Sequence, residues 1–369
     1  MNLMKIYIPD VGHGLAVGVA PDSDFTCQID CGSSEYPEKA FHKGLVNINP
    51  KVFFLSHFHS DHYNGLACGA NESTLKFNIK EVYFPRIPDI SDGNRKQFLT
   101  CVMAMNWFML GDKTGSMELD FYSLMWELNP QGFTKFRSVS AGERILMGGS
   151  SVEILWPPRK WSGGCDDVKI AIDSFNRAKE KDQRLAEIYA VIGDSKIIDC
   201  YLDGADRGFG NLQRNSEKMS EGEGADVKKY SSNLKSEEEN NLRISLLKKA
   251  NKALKKAANH FSLALRSDRG FLFMGDLEGN EIKQVVGILL RKRKRGALFL
   301  IPPHHGTHWD DRLKFLHARY IIASVGKRYF KKISPEHAKI AKTNLNTFIH
   351  GDVYLPVVYP SINSWLNAI

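Results

Sequence analysis

Paired cysteines are missing from this chain. Its six cysteines, Cys27, Cys31, Cys68, Cys101, Cys165 and Cys200, are scattered and form no CxxC pair. That excludes a disulfide framework and a thiolate zinc site, and leaves reduced thiols. Long apolar runs are missing too: none approaches the length that spans a bilayer, so no membrane partner is expected. The opening MNLMKIYIPDVGHG lacks the basic start, continuous apolar stretch and small-residue cleavage site of a secretory signal, and the expected location is the cytoplasm. No GxxxxGK[ST] loop is there to cradle a nucleotide, no Ser-His-Asp arrangement offers a nucleophile, and no internal repeat is evident. Acidic charge is in deficit: 42 Asp and Glu against 50 Lys and Arg leave a net +8, which suits a polyanionic partner.

What is present reads as an α/β chain. At 369 residues it is long enough to bury a sizeable core. KIYIPDVG, LAVGVA, TCQIDCG, KVFFLS and EVYFP are short β-rich runs bounded by Gly, Pro or Asp, and RKQFLTCVMAMNWFML is predicted helical. SVSAGERILMGGSSVEILWPP returns to hairpin character. From Arg159 to Ala258 the character changes, and Lys, Glu, Ser and Asn dominate between Asp206 and Asn241, a stretch expected to be a mobile loop. LRISLLKKANKALKKAA is predicted helical by propensity. Strands then resume in HFSLALRSDRGFLFMGD, ALFLIPP and ARYIIASVG, the last clear strand, with a helix at EGNEIKQVVGILLRKRKRG. Two sheets packed face to face with helices outside would bring the strand ends of both halves together.

The stretch FFLSHFHSDHYNG sets His57, His59, Asp61 and His62 within six positions, directly after an apolar run. In extended backbone His57 and His59 project to one side, and Asp61 and His62 follow at the expected start of a helix, DHYNGLA. Imidazoles with a carboxylate suit Zn²⁺ first, with Mn²⁺ or Fe as alternatives. A local cluster rarely completes a two-metal site. Asp276 in FLFMGD and the pair His304 and His305 in LFLIPPHHGTH, each following an apolar strand, are the candidates for the remaining ligands.

HFHSDH matches the HxHxDH signature of the metallo-β-lactamase fold. More narrowly, DVGHG, DCG, NHFSLAL, FLFMGD, PHHGTH and SVGKRYFKKISPEH resemble the soluble C-terminal domain of the competence protein ComEC. The resemblance implies a single four-layer αββα domain over residues 1–369, with a helical, partly mobile insertion at 159–258. It also implies two divalent ions. One would be held by His57, His59 and either Asn259 or His260; the other by Asp61, His62 and a late histidine, His305 in preference to His304. Asp276 would bridge them, while Asp10 and Asp30 would orient ligand loops by hydrogen bonding. His13 stands where the family usually has Gln, and Lys332 where it tends to carry a histidine that protonates the leaving group. Asp61, Asp276 and Lys332 are thus the candidate catalytic residues.

Two ions about 3.5 to 4 Å apart lower the pKa of a bridging water and stabilise a leaving oxygen, the services phosphodiester hydrolysis needs. The expected activity is therefore that of a metal-dependent phosphodiesterase or nuclease. Two basic clusters, Arg291 to Arg295 and Lys327, Arg328, Lys331 and Lys332, would guide a nucleic-acid substrate, the second cluster being favoured. Two other classes stay open: a hydrolase of a small ester or cyclic nucleotide, and a regulatory binding protein with a degenerate metal site. A soluble protein partner is conceivable, but no residue identifies one.

Overall fold

In the computed structural model, residues 3–20, 26–70, 77–89, 94–114, 121–129, 135–147, 150–161, 165–194, 196–203 and 237–358 are described. Runs rich in Val, Ile, Phe and Tyr become strands because branched and aromatic side chains fit a pleated, buried surface. The first six are β1 (Leu3–Ile8), β2 (Gly14–Ala20), β3 (Cys27–Ser33), β4 (Val52–Phe54), β5 (Glu81–Pro85) and β6 (Lys135–Val139). The next seven are β7 (Arg144–Met147), β8 (Ser150–Trp156), β9 (Ala264–Ser267), β10 (Phe271–Phe273), β11 (Gly296–Ile301), β12 (His317–Ala323) and β13 (Ala341–Asn346). The last, β14 (Val353–Val358), returns to pair with β1.

These strands form two seven-stranded sheets, β14-β1-β2-β3-β4-β5-β6 and β13-β12-β11-β10-β9-β8-β7. Both sheets follow one scheme. From β14 to β3, and from β7 to β10, every pairing is antiparallel. From β3 to β6, and from β10 to β13, every pairing is parallel. Parallel strands release their carboxyl ends along a common edge, where open α/β sheets place their ligand crevices.

Alternation along each strand sorts the side chains into layers. In β4, Val52 and Phe54 enter the core between the sheets while Phe53 faces the helices. In β10, Phe271 and Phe273 face inward and Leu272 outward. Eight helices are used below: α1 (Gly65–Ala70), α2 (Arg95–Thr114), α3 (Phe121–Leu128), α4 (Cys165–Lys181), α5 (Gln183–Asp194), α6 (Lys196–Asp203), α7 (Glu237–Asn259) and α8 (Gly279–Arg291). Phe98 of α2, Phe175 of α4, Leu185 of α5, Ile198 of α6 and Leu254 of α7 share one cluster outside the first sheet. Ile282, Val285 and Leu289 of α8 cover the second. The result is a four-layer αββα sandwich.

Some local readings change. Residues 206–236 of the expected loop lie outside the described residues, and Glu237 to Asn241 already belong to α7. The expected helix DHYNGLA is a 3₁₀ turn at Ser60–His62, and α1 begins only at Gly65. β13 and β14 follow the strand taken as the last. AKTNLN is a half-exposed edge with little β-branched content, and VYLPVV carries Pro356, which an edge strand tolerates because no neighbour needs its N–H.

Candidate metal centre

Three connections that leave parallel strands supply the cluster. His57 lies three residues beyond β4, Asp276 three beyond β10, and His304 three beyond β11. Around Asp276 Oδ2 stand four imidazole nitrogens: His62 Nε2 at 3.7 Å, His305 Nε2 at 3.8 Å, His57 Nε2 at 3.9 Å and His304 Nδ1 at 4.0 Å. Those separations are too long for hydrogen bonds. They are near the roughly 3.4 to 4 Å expected of two donors that each lie about 2 Å from a shared ion.

Partners on the opposite ring nitrogens fix the tautomers. Ser56 Oγ donates to Asp30 Oδ2 at 2.6 Å, so its oxygen accepts from His57 Nδ1 at 3.0 Å. His59 Nε2 donates to the Lys255 carbonyl at 2.9 Å, and His62 Nδ1 donates to Asp30 Oδ2 at 2.7 Å. His57 and His59 thereby turn a lone pair inward, the arrangement that ligating histidines adopt, and His62 would do so once a metal displaces the proton from its Nε2. His57 Nε2 and His59 Nδ1 then face each other at 2.8 Å, a repulsion that a shared cation removes.

Burial dominates the electrostatics. It pushes His59 and His305 down to about 3 and His57 well below the ordinary imidazole value, so all three are neutral, as ligands must be. Burial alone would raise the Asp276 carboxyl, but His304, His305 and His62 outweigh it and hold the group well below the carboxylate range. Burial also opposes charge on His62, yet Asp30 and Asp276 outweigh it and raise that ring. Asp61 is lowered because Lys255, His62 and His59 together outweigh its burial. Asp61 Oδ1, His62 Nε2 and His305 Nδ1 are buried without a hydrogen-bond partner, a costly condition in a protein interior. The donor set therefore fits a metal. His57, His62 and Asp276 offer atoms close enough to hold an ion, and all three are buried.

Other candidates are placed differently. Both ring nitrogens of His260 are taken, Nδ1 by Glu281 Oε1 and Nε2 by Asp167 Oδ2, each at 2.9 Å, which leaves none for the cluster. Asn259 donates through Nδ2 to Glu278 Oε1 at 3.2 Å and keeps a buried Oδ1 without a partner. Asp10 accepts from the Gly12 N–H at 3.1 Å, in the loop that leads to His13. The His13 ring lies 4.8 Å from that of His305 and stacks on Tyr329 at 3.9 Å, and burial lowers it to about 4. Lys332 Nζ sits 4.7 Å above the other partner of that stack, Tyr329, so two rings separate it from His305. Lys327, Arg328, Lys331 and Lys332 are exposed in the connection beyond β12. Arg291 to Arg295 precede β11 and so lie about 20 Å of strand from His304. There Lys292 and Lys294 pair with Glu153.

Five contributors were not among the sequence candidates. Ser56, Ser262 and Lys255 act through hydrogen bonds that no spacing rule reveals; Ser262 Oγ accepts from the Asp276 N–H at 2.8 Å, and Lys255 Nζ lies 3.7 Å from Asp61. Glu278 and His308 form a second group with His304. The density of histidine in HHGTH was the available signal for His308.

No family model matches the chain, and no curated protein matches it. Among solved structures it is similar to the metallo-β-lactamase fold protein YhfI from Bacillus subtilis, at 10% identity and TM-score 0.43, over 97% of this chain and 100% of that one. It is similar to a diphosphatase of the PhnP family at 12% identity and TM-score 0.36, over 94% of this chain and 85% of that one. A long-form RNase Z from yeast is similar at 11% identity and TM-score 0.29, over 100% of this chain and 43% of that one. Two mixed seven-stranded sheets lie between helical layers, with the buried histidines and aspartates at their carboxyl edge, the four-layer arrangement that the HxHxDH resemblance implies.

Proposed function

We propose that this chain is a metal-dependent hydrolase that cleaves phosphodiester bonds in nucleic acid. The observation that carries the reading is Asp276 Oδ2 standing 3.7 to 4.0 Å from nitrogens of His57, His62, His304 and His305. His57, His59 and Asn259 would hold one divalent ion, and Asp61, His62 and His305 another, with Asp276 shared. Ions held there, Zn²⁺ or Mn²⁺, acidify water and polarise a phosphoryl oxygen.

The chain's own residues supply the rest. Ser56 and Asp30 hold His57 and His62 in position, and the Lys255 carbonyl holds His59. Lys255 Nζ, near Asp61 and 42% exposed, supplies positive charge for a phosphate oxygen. In the reaction water attacks phosphorus, the bond to the leaving oxygen breaks, and that oxygen takes up a proton. Support for a polymeric substrate comes from the exposed Lys327, Arg328 and Lys331, of which Arg328 lies over the Tyr329 ring that stacks on His13 beside His305.

The test compares two substrates. Replacing Lys327, Arg328 and Lys331 with Ala should slow nucleic-acid cleavage and flatten its salt dependence by roughly 0.7 to 0.9 log units per lost phosphate contact. Hydrolysis of bis-nitrophenyl phosphate should persist. Unchanged cleavage of both would make a small phosphodiester or ester the better substrate class. Absence of any metal-stimulated hydrolysis would favour a binding protein. Lys332→Ala is tested separately, because equal loss on both substrates would identify it as the proton donor to the leaving group.

A further inference from the structure

Glu278 and His308, in the wall beside Asp276, have no role in the cluster described above, and His304 Nδ1, 4.0 Å from Asp276 Oδ2, faces both groups. Glu278 precedes α8, where a carboxylate ordinarily accepts from the first free N–H groups, yet its side chain makes no capping bond. Its Oε1 lies instead 3.8 Å from His304 Nδ1 and accepts from Asn259 Nδ2. The His304 ring lies 5.1 Å from that of His308, tilted by 32°. One donor atom each from Glu278, His304 and His308 falls within 4.8 Å of the others, and all three residues are half-buried. His304 Nδ1 is buried and has no hydrogen-bond partner.

The backbone separates the two adjacent histidines. His304 and His305 have φ of 50° and 58°, a left-handed pair that non-glycine residues rarely adopt. Gly275 accepts from the His304 N–H at 2.9 Å and Thr307 Oγ1 donates to its carbonyl at 2.7 Å, which fixes the turn. One ring meets His62 and His13, and the other meets Glu278 and His308.

We infer that Glu278, His304 and His308 form a further transition-metal site at the rim of the centre, distinct from that of His57, His62 and Asp276. Two imidazoles and one carboxylate are a zinc donor set that leaves a position for water or an oxyanion. Magnesium and calcium, which favour oxygen ligands, fit it poorly. Asn259, bonded to Glu278, steadies the carboxylate.

The site is tested on the full chain, stripped with a chelator and titrated with Co²⁺ while visible absorption and bound metal are measured. Wild type should take up one ion per chain more than Glu278→Gln or His308→Asn, and excess Mg²⁺ should not displace that ion. Melting curves check that both variants fold. Wild-type uptake and spectrum in both variants, with uptake reduced in His57→Ala, would overturn this inference and leave the inner centre standing. No uptake by wild type would overturn both.

Discussion

His59 donates its Nε2 proton to the main-chain carbonyl of Lys255, 2.9 Å away. The last turns of α7 thus set the tautomer of a candidate ligand carried on the β4 connection, and the Lys255 side chain adds a positive charge 3.7 Å from Asp61. Lys255→Ala keeps the carbonyl and removes only the charge. The Lys255 side chain is 42% exposed, so the effect is that of a screened pair: divalent-ion affinity should rise by about threefold, by calorimetric titration at low salt. Turnover at saturating metal should fall if the ammonium meets substrate; a fall in metal affinity would refute the electrostatic account.

Asp30 is fully buried, with φ of 58°, and accepts from the Ser56 N–H, the Ser56 hydroxyl and His62. Asn tolerates that backbone conformation, so Asp30→Asn changes charge and hydrogen bonding while preserving shape. Metal affinity should drop by about 10- to 100-fold, measured by competition with a chromophoric chelator. Unaltered affinity would mean that His62 needs no anionic partner.

A Cβ at Gly32 would stand 2.4 Å from the Asp61 carbonyl oxygen and 2.6 Å from the His62 carbonyl carbon. Backbone cannot give way as a side chain can, so Gly32→Ala must displace the turn that bears two candidate ligands. Urea denaturation should show a loss of roughly 1 to 3 kcal/mol, with weaker metal binding. Gly279→Ala, which meets nothing within 4 Å, is the control and should leave metal binding unchanged.

His260 joins α4 to α8 through Asp167 and Glu281. Burial would lower it, but the hydrogen bonds to Glu281 and Asp167 outweigh burial and raise it. A group raised on folding contributes its full stability below its unfolded pKa, near 6.5, and loses it as pH rises through the folded value. The stability difference between wild type and His260→Asn should therefore be largest below about pH 6.5 and shrink as pH rises above it. Denaturant midpoints across that range check this, and a difference that grows with pH would contradict it.

The cluster from His57 to His62 was legible because its residues are contiguous, and a strand followed by a tight turn permits few directions for them. Asp276 and the two late histidines were legible for a similar reason: each follows an apolar strand, and strands end where their pattern ends. The grouping of strands and helices in both halves suggested two facing sheets with helices outside, and the family resemblance implied the four-layer architecture. Asn259 and His260 could not be told apart, because neighbouring residues at the end of a helix point in different directions, and only the positions of Asp167 and Glu281 decide which ring is already engaged. His304 and His305 were equally ambiguous in the sequence. Two left-handed residues send adjacent rings to different neighbours, which a spacing rule built on extended or helical backbone does not anticipate.

The sequence by itself determined most of the strands, the candidate ligand types and their order along the chain, since periodicity and residue chemistry are local properties. Tertiary structure alone decided that β4, β10 and β11 end at one edge, that Lys255 and Ser262 reach the centre, and that RKRKR lies at the far end of β11. Those relations join residues about 200 positions apart and more, as with His59 and Lys255, and arise only when two sheets pack through a common core. Burying that core is what holds the loops together, and no local pattern encodes the distance between them.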